Sequence, residues 1–252
     1  MRNKPHARFA LTMMMFAGIA LLSGCVTTHV EMDRMTGTAF PTEQTLDGRD
    51  WTLESIFLEA GHIIDVDEDD TNIAPLRDGS TQQQCITDAE LETVEIANRA
   101  SPVTPTSFAC GAGIFRGTCT RYEAYGIVVD HVGQCFGSCR SSLLGCMYDT
   151  TDRSAFSLYF QNSTVSSDGQ RYLRTTAHEL GHAFNLHHPD GSGSETLMNT
   201  TGTVGNSFTY TFSTDSEEHL QEHDAQCRFP GTGAWFSVTD DHATRHGNAT
   251  CP

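Results

Sequence analysis

Basic side chains are scarce in this chain of 252 residues. Lys and Arg together number 15 against 32 Asp and Glu, and Lys4 is the only lysine. A net charge of −17 argues against nucleic acid, or an anionic membrane surface, as the main partner. With 22 Gly and 8 Pro, the sequence has too few of either for a collagen or a low-complexity polymer. No internal repeat is visible, and after residue 22 no apolar run is long enough to span a bilayer. What is present is ample apolar material: 38% hydrophobic residues, including 14 Phe. That excludes a disordered chain and predicts one domain, or one domain with a small appendage.

The first residues are set apart from the rest. Arg2, Lys4, His6 and Arg8 precede an apolar stretch, Phe9 to Leu22, of signal-peptide length and short for a transmembrane helix. It ends in Leu22-Ser23-Gly24-Cys25, which resembles the lipobox of bacterial lipoproteins. The resemblance implies cleavage before Cys25, lipidation of Cys25 and location in the cell envelope. Val26 in place of an inner-membrane retention Asp implies outer-membrane sorting if the source is Gram-negative. Loss of residues 1–24 leaves 12 basic and 32 acidic side chains, a net charge of −20. All the remaining basic residues are then Arg, which stays protonated and pairs carboxylates bidentately.

With Cys25 assigned to lipid, eight cysteines remain: Cys85, Cys110, Cys119, Cys135, Cys139, Cys146, Cys227 and Cys251. An even set in an exported chain predicts a disulfide framework. Cys110–Cys119 and Cys139–Cys146 are plausible local pairs. A zinc ribbon is the rival, but Cys135-x3-Cys139 has no matching second pair.

Along the chain, residues 25–50 are polar and predict a tether, with the catalytic domain over 51–230 and a C-terminal extension over 231–252. Trp51 to Ile64 suits a first strand or hairpin. Asp65 to Asp70 holds five acids in six positions; a Ca2+ loop is one reading, a solvated acidic loop the commoner one. Asp88 to Arg99 has helical spacing, with Leu91, Val94 and Ile96 or Ala97 on one face. Residues 101–121 predict a loop, and Tyr125 to Val129 a buried strand. Residues 131–150 predict a stapled Cys-rich loop, and Ala155 to Phe160 an edge strand. The sum is a mixed α/β or α+β domain.

One segment carries chemistry. In Thr175-Thr176-Ala177-His178-Glu179-Leu180-Gly181-His182-Ala183-Phe184-Asn185-Leu186-His187-His188, a helix capped by Ser167 or Asp168 and beginning near Gln170 puts His178 and His182 one turn apart on one face. Both imidazoles then reach one metal ion, with Glu179 beside them to touch a metal-bound water. Asn185 tolerates the left-handed conformation, and a reversal there swings His188 toward the same metal. Three neutral His ligands leave a fourth position for water, the layout of a catalytic zinc site.

These residues resemble the metzincin clan of zinc metallopeptidases, whose pattern H-E-x-x-H-x-x-G-x-x-H appears as His178, Glu179, His182, Asn185 and His188. Asn185 replaces Gly, as in some adamalysin-type members. Met198, in Glu195-Thr196-Leu197-Met198-Asn199, resembles the clan's Met-turn. The resemblance implies a zincin domain with a twisted sheet, an active-site helix and a smaller lower subdomain to which residues 212–227 supply a closing helix. It implies one catalytic Zn2+ on His178, His182 and His188, Glu179 as general base, and a protein or peptide substrate lying antiparallel to an edge strand, here Phe156 to Phe160. No Tyr stands two residues after the Met; Tyr210 is a weak candidate for an extra transition-state donor. His187 is a bystander on this spacing. Two alternatives stay open: a gluzincin with Glu217, Glu218 or Glu222 as third ligand, and a zinc-bearing binding module without proteolysis.

Overall fold

The computed structural model describes residues 26–76, 85–110, 117–135, 137–149, 151–188, 196–200, 207, 209–222 and 225–232. The expected leader, Cys25, Cys251 and nearly all of the expected C-terminal extension lie outside them. The strands are β1 (Val26–Arg34), β2 (Gln44–Leu46), β3 (Arg49–Trp51), β4 (Ile64–Glu68), β5 (Cys85–Ile86), β6 (Thr106–Cys110), β7 (Gly117–Val129), β8 (Val132–Cys135), β9 (Ser138–Cys139), β10 (Gly145–Met147) and β11 (Ala155–Tyr159). The helices are α1 (Leu53–Glu59), α2 (Asp88–Asn98), α3 (Ser163–Ser167), α4 (Gly169–Ala183), α5 (Thr214–Glu222) and α6 (Ala225–Arg228).

The centre is a mostly parallel sheet in the order β10-β11-β7-β1-β4, with β6 added along the first half of β7. β1 runs parallel to β4 and β7, and β7 parallel to β11. β10 and β6 are antiparallel to their neighbours. Both faces are covered, so the sheet is the middle of three layers. On one face Val30, Met32, Ala124, Val128, Phe156 and Leu158 pack against Ile56 and Phe57 of α1 and Leu173, Ala177 and Leu180 of α4. On the other, Tyr125, Ile127, Val129 and Tyr159 pack against Leu91 and Val94 of α2. The mixed α/β class expected from the sequence is the observed one.

Several local expectations are corrected. The polar segment after residue 25 is no tether, because Val26–Arg34 is an interior strand paired on both sides. Its alternation hides this: Val30 and Met32 enter one core, while His29, Glu31 and Asp33 are buried on the α2 side with partners for their charge. His29 Nδ1 lies 2.8 Å from Glu123, Glu31 accepts from the amides of Ala100 and Ser101, and Asp33 accepts from Tyr125 and the Asp70 amide. Leu53–Glu59 is a helix rather than part of a hairpin, started by a capping box between Thr52 and Ser55. Within the segment expected to be loop, Thr106–Cys110 and residues 117–121 are paired antiparallel strands. β11 is no edge strand, being paired to β7 and β10. α2 forms as expected, but buries Glu95 and leaves Ile96 77% exposed. Glu95 is accommodated by Arg99 and the Tyr148 hydroxyl.

Of the disulfides, Cys135–Cys146 is observed, so Cys146 does not pair with Cys139. It ties β8 to β10 across the predicted stapled region. Cys85, Cys119 and Cys227 are also disulfide-bonded.

Candidate metal centre

α4 begins where the sequence indicates: Asp168 is its N-cap and accepts from the Arg171 amide. Every residue from Tyr172 to Ala183 is buried, because the helix has the sheet on one side and the 196–200 segment on the other. Its C-terminal turn is reversed by Asn185, at φ 63°, a conformation open to Asn at low cost. The Asn185 side chain adds what Gly would not: Nδ2 donates to the Cys227 carbonyl of α6 at 2.9 Å.

That reversal brings His188 back over the helix. His178, His182 and His188 form a group able to hold a metal ion, the one such His/Cys/Asp/Glu group among the described residues. The His178 Nε2 is 3.2 Å from that of His182 and 3.1 Å from that of His188. His178 and His182 are buried, and His188 stands at the exposed rim.

The donor set can be tested on its tautomers. His178 Nδ1 is 3.0 Å from the Leu197 carbonyl, and His182 Nδ1 is 2.7 Å from the Leu186 carbonyl. A carbonyl only accepts, so both Nδ1 atoms carry the proton and donate. Both Nε2 atoms then present lone pairs to each other, an arrangement that a cation between them turns from repulsive to favourable. Zn–N bonds of about 2.0–2.1 Å in a tetrahedron require nitrogens roughly 3.3–3.4 Å apart, close to the observed separations. Burial holds His178 well below the usual imidazole range, and His182 at about 3. His188 is lowered by burial, then by Arg174. Neutral imidazole is the state a metal ligand must have.

Glu179 is adjacent but outside this group. Burial pushes its carboxyl up to about 8, against the pull of a hydrogen bond from the Met147 backbone and of Arg174. β10 therefore supports the Glu179 side chain, and closely: a Cβ on Gly145 would stand 2.5 Å from the Glu179 Cγ.

Met198 lies beneath the helix, 1% exposed, in contact with Gly181. Its loop is held by Arg174, whose Nη2 donates to the Leu197 carbonyl at 2.9 Å and to that of Asn199. The sequence reading overlooked Arg174, although it stands one helical turn before His178, in line with the ligands. It also overlooked Arg153, fully buried, which donates to the Ala183 and Phe229 carbonyls and so ties the end of α4 to the chain after α6.

Other candidates fall elsewhere. Tyr210 is buried with its hydroxyl donating to the Gln170 carbonyl at 2.8 Å, at the far end of α4, which removes it as a donor at the centre. Glu217, Glu218 and Glu222 are not in the group able to hold a metal; the Glu217 carboxyl is raised by burial, then by Glu59. α5 meets α4 through His219, 3.0 Å from the Phe184 carbonyl. Asp65 to Glu68 of the acidic run form most of edge strand β4, whose alternate side chains point to opposite faces, so they do not converge as a Ca2+ loop would.

The chain matches no protein-family model, no curated protein and no solved structure.

Proposed function

We propose that this protein is a zinc-dependent endopeptidase of metzincin type, anchored at the cell envelope through lipid on Cys25. The observation that carries the reading is the pair of backbone carbonyls, Leu197 and Leu186, that fix His178 and His182 with Nε2 lone pairs facing one another. His178, His182 and His188 would hold the zinc. Bound there, zinc supplies a Lewis acid and lowers the pKa of water to about 7.

The chain's own groups supply the rest. Glu179 is a buried carboxyl at the edge of the group, bonded to the Met147 backbone and raised to about 8 by burial; a cation held by the three imidazoles would favour its ionised form. Ionised, it would take a proton from the attacking water and deliver it to the leaving amine, the two transfers of general acid–base catalysis. β10 ends the sheet, beside Glu179. An extended substrate adding to this strand by backbone pairing would bring its scissile carbonyl to the centre; β10 takes the place first assigned to Phe156–Phe160.

The test is paired. Zinc is measured by elemental analysis, and cleavage of a quenched peptide pool is followed with and without a chelator. The expected result is about one zinc per chain and chelator-sensitive cleavage; Glu179→Gln keeps the zinc and loses roughly 10²–10⁴-fold in turnover. A wild type that holds zinc yet cleaves nothing, even after N-terminal trimming, favours the binding module instead.

A further inference from the structure

Thr106–Cys110 of β6 and residues 117–121 of β7 pair antiparallel and project from the end of the sheet where the chain enters it. Val26 pairs with Thr120, and Thr120 with Ser107. Three further pairs, Phe108/Cys119, Ala109/Thr118 and Cys110/Gly117, lie beyond that level, about 10 Å at ~3.3 Å per residue. The strands of this projection carry no charge, and the sequence from Ile96 to Tyr122 has no acidic residue in a chain with 32 of them. Thr106, Ser107, Phe108, Ala109 and Thr118 are exposed.

Phe108 is 41% exposed, and two other large apolar side chains are exposed toward the same end of the sheet: Ile63 at 46% and Leu58 at 51%. Ile63 accepts from the Thr28 amide through its carbonyl, so it stands beside the start of β1. Leu58 is in the last turn of α1, which leads into Ile63 and β4.

We infer that this end of the domain lies on the lipid bilayer, with the outer ends of β6 and β7 at the headgroup region and Phe108 as their apolar anchor. The inference rests on the lipid assigned to Cys25. Consecutive Cα atoms are about 3.8 Å apart, so Val26, already fixed in the sheet, lies one residue from the acyl chains. A strand pair reaching farther than Val26 then meets the membrane. The occupant is lipid rather than a protein partner because the anchor forces the contact, and a surface without acidic residues enters an interface that an acidic one would resist. The C-terminal cap of α4, Phe184, packs on His62 next to Ile63, ring centroids 4.7 Å apart. Docking therefore brings that end of the ligand-bearing helix to the membrane side, and polypeptides presented at the bilayer into reach.

The experiment uses the full lipidated chain in phosphatidylcholine vesicles with brominated acyl chains. Tryptophan is added singly as Phe108→Trp, Thr118→Trp or Ile63→Trp, with Ile96→Trp on α2 as the control. The added emission of Phe108→Trp and Thr118→Trp is expected to be mostly lost to bromolipid, that of Ile63→Trp partly, and that of Ile96→Trp retained. Quenching no stronger at 108 and 118 than at 96 overturns the docking, as does blue-shifted emission at 108 without bromolipid quenching, which would indicate a protein partner. Failure of the anchor itself is seen separately, as equal vesicle binding by wild type and Cys25→Ser.

Discussion

Gly181 and Met198 meet so closely that a Cβ on the glycine would stand 2.5 Å from the methionine sulfur. Gly181 lies in α4 between the two helical ligands, so the contact joins the Met198 turn to the ligand-bearing turn itself. Gly181→Ala would normally favour a helix by about 0.5–1 kcal/mol. Here the overpacking cost of about 1–3 kcal/mol outweighs it. The expected outcome is a lower urea midpoint and weaker zinc retention against a competing chelator. Met198→Leu, close in volume, should cost less than about 1.5 kcal/mol and retain zinc.

Asn185 performs two tasks that substitutions separate. Asn185→Gly keeps the left-handed turn and removes only the bond to the Cys227 carbonyl, worth about 1 kcal/mol. Asn185→Val loses both, and its branched Cβ opposes a positive φ. Thermal unfolding should rank wild type, Gly and Val in descending order. Zinc affinity should fall sharply only for Val, because His188 depends on the turn.

Much of the centre was legible because it is local. The four-residue step from His178 to His182, the Asp168 cap and the Asn185 reversal all act within one helix and its end, where sequence spacing fixes geometry. β1 was not legible. Thr28, His29, Glu31 and Asp33 look solvated in isolation, and their burial depends on His62, Glu123, Tyr125 and the amides after α2, which are distant in sequence. α1 was missed for a related reason: it is short and its stability comes from Ile56 and Phe57 packing on α4 and the sheet, not from its periodicity. The pairing of Cys146 with Cys135 depends on the approach of β8 to β10, which spacing does not encode.

Tyr210 gives a sharp functional contrast. Its hydroxyl bonds the Gln170 carbonyl and its ring packs 5.6 Å from that of Trp51. Tyr210→Phe should lower stability by about 0.5–1.5 kcal/mol and leave peptide turnover at the wild-type level. A large drop in kcat with unchanged stability would return Tyr210 to the transition state.

His62 sets part of the acid limit of the fold. Burial, then Arg228, lowers its pKa from 6.5 to about 3; its Nε2 is 3.1 Å from the Thr28 hydroxyl. The unfolded chain takes up this proton near 6.5 and the folded protein does not. Its contribution is therefore fully present above pH 6.5 and is lost as pH falls toward 3, by about 1.4 kcal/mol per unit. Urea unfolding at stepped pH should show a shallower acid slope for His62→Leu than for wild type over this window. Taking the difference between the two proteins cancels the proton uptake of the three clustered imidazoles, which both retain.

A change at Gly145 would separate the proposed general base from the proposed metal. It is in β10, where a Cβ would meet the Glu179 Cγ at 2.5 Å and the carboxylate carbon at 3.0 Å. The three atoms nearest such a Cβ all belong to Glu179, whereas the orientation of His178 and His182 comes from the Leu197 and Leu186 carbonyls and that of His188 from the Asn185 turn. Gly145→Ala should thus displace the Glu179 carboxylate from the Met147 amide while leaving the three imidazoles in place. Zinc content stays near that of wild type, and peptide cleavage falls toward the level of Glu179→Gln, a loss bounded by the roughly 10²–10⁴-fold worth of a general base. The double variant Gly145→Ala/Glu179→Gln should be no slower than Glu179→Gln alone, since the two changes remove one function. An additive loss in the double variant would mean that Gly145 acts on the substrate strand rather than through Glu179, and loss of zinc in the single variant would mean that β10 supports the imidazoles as well.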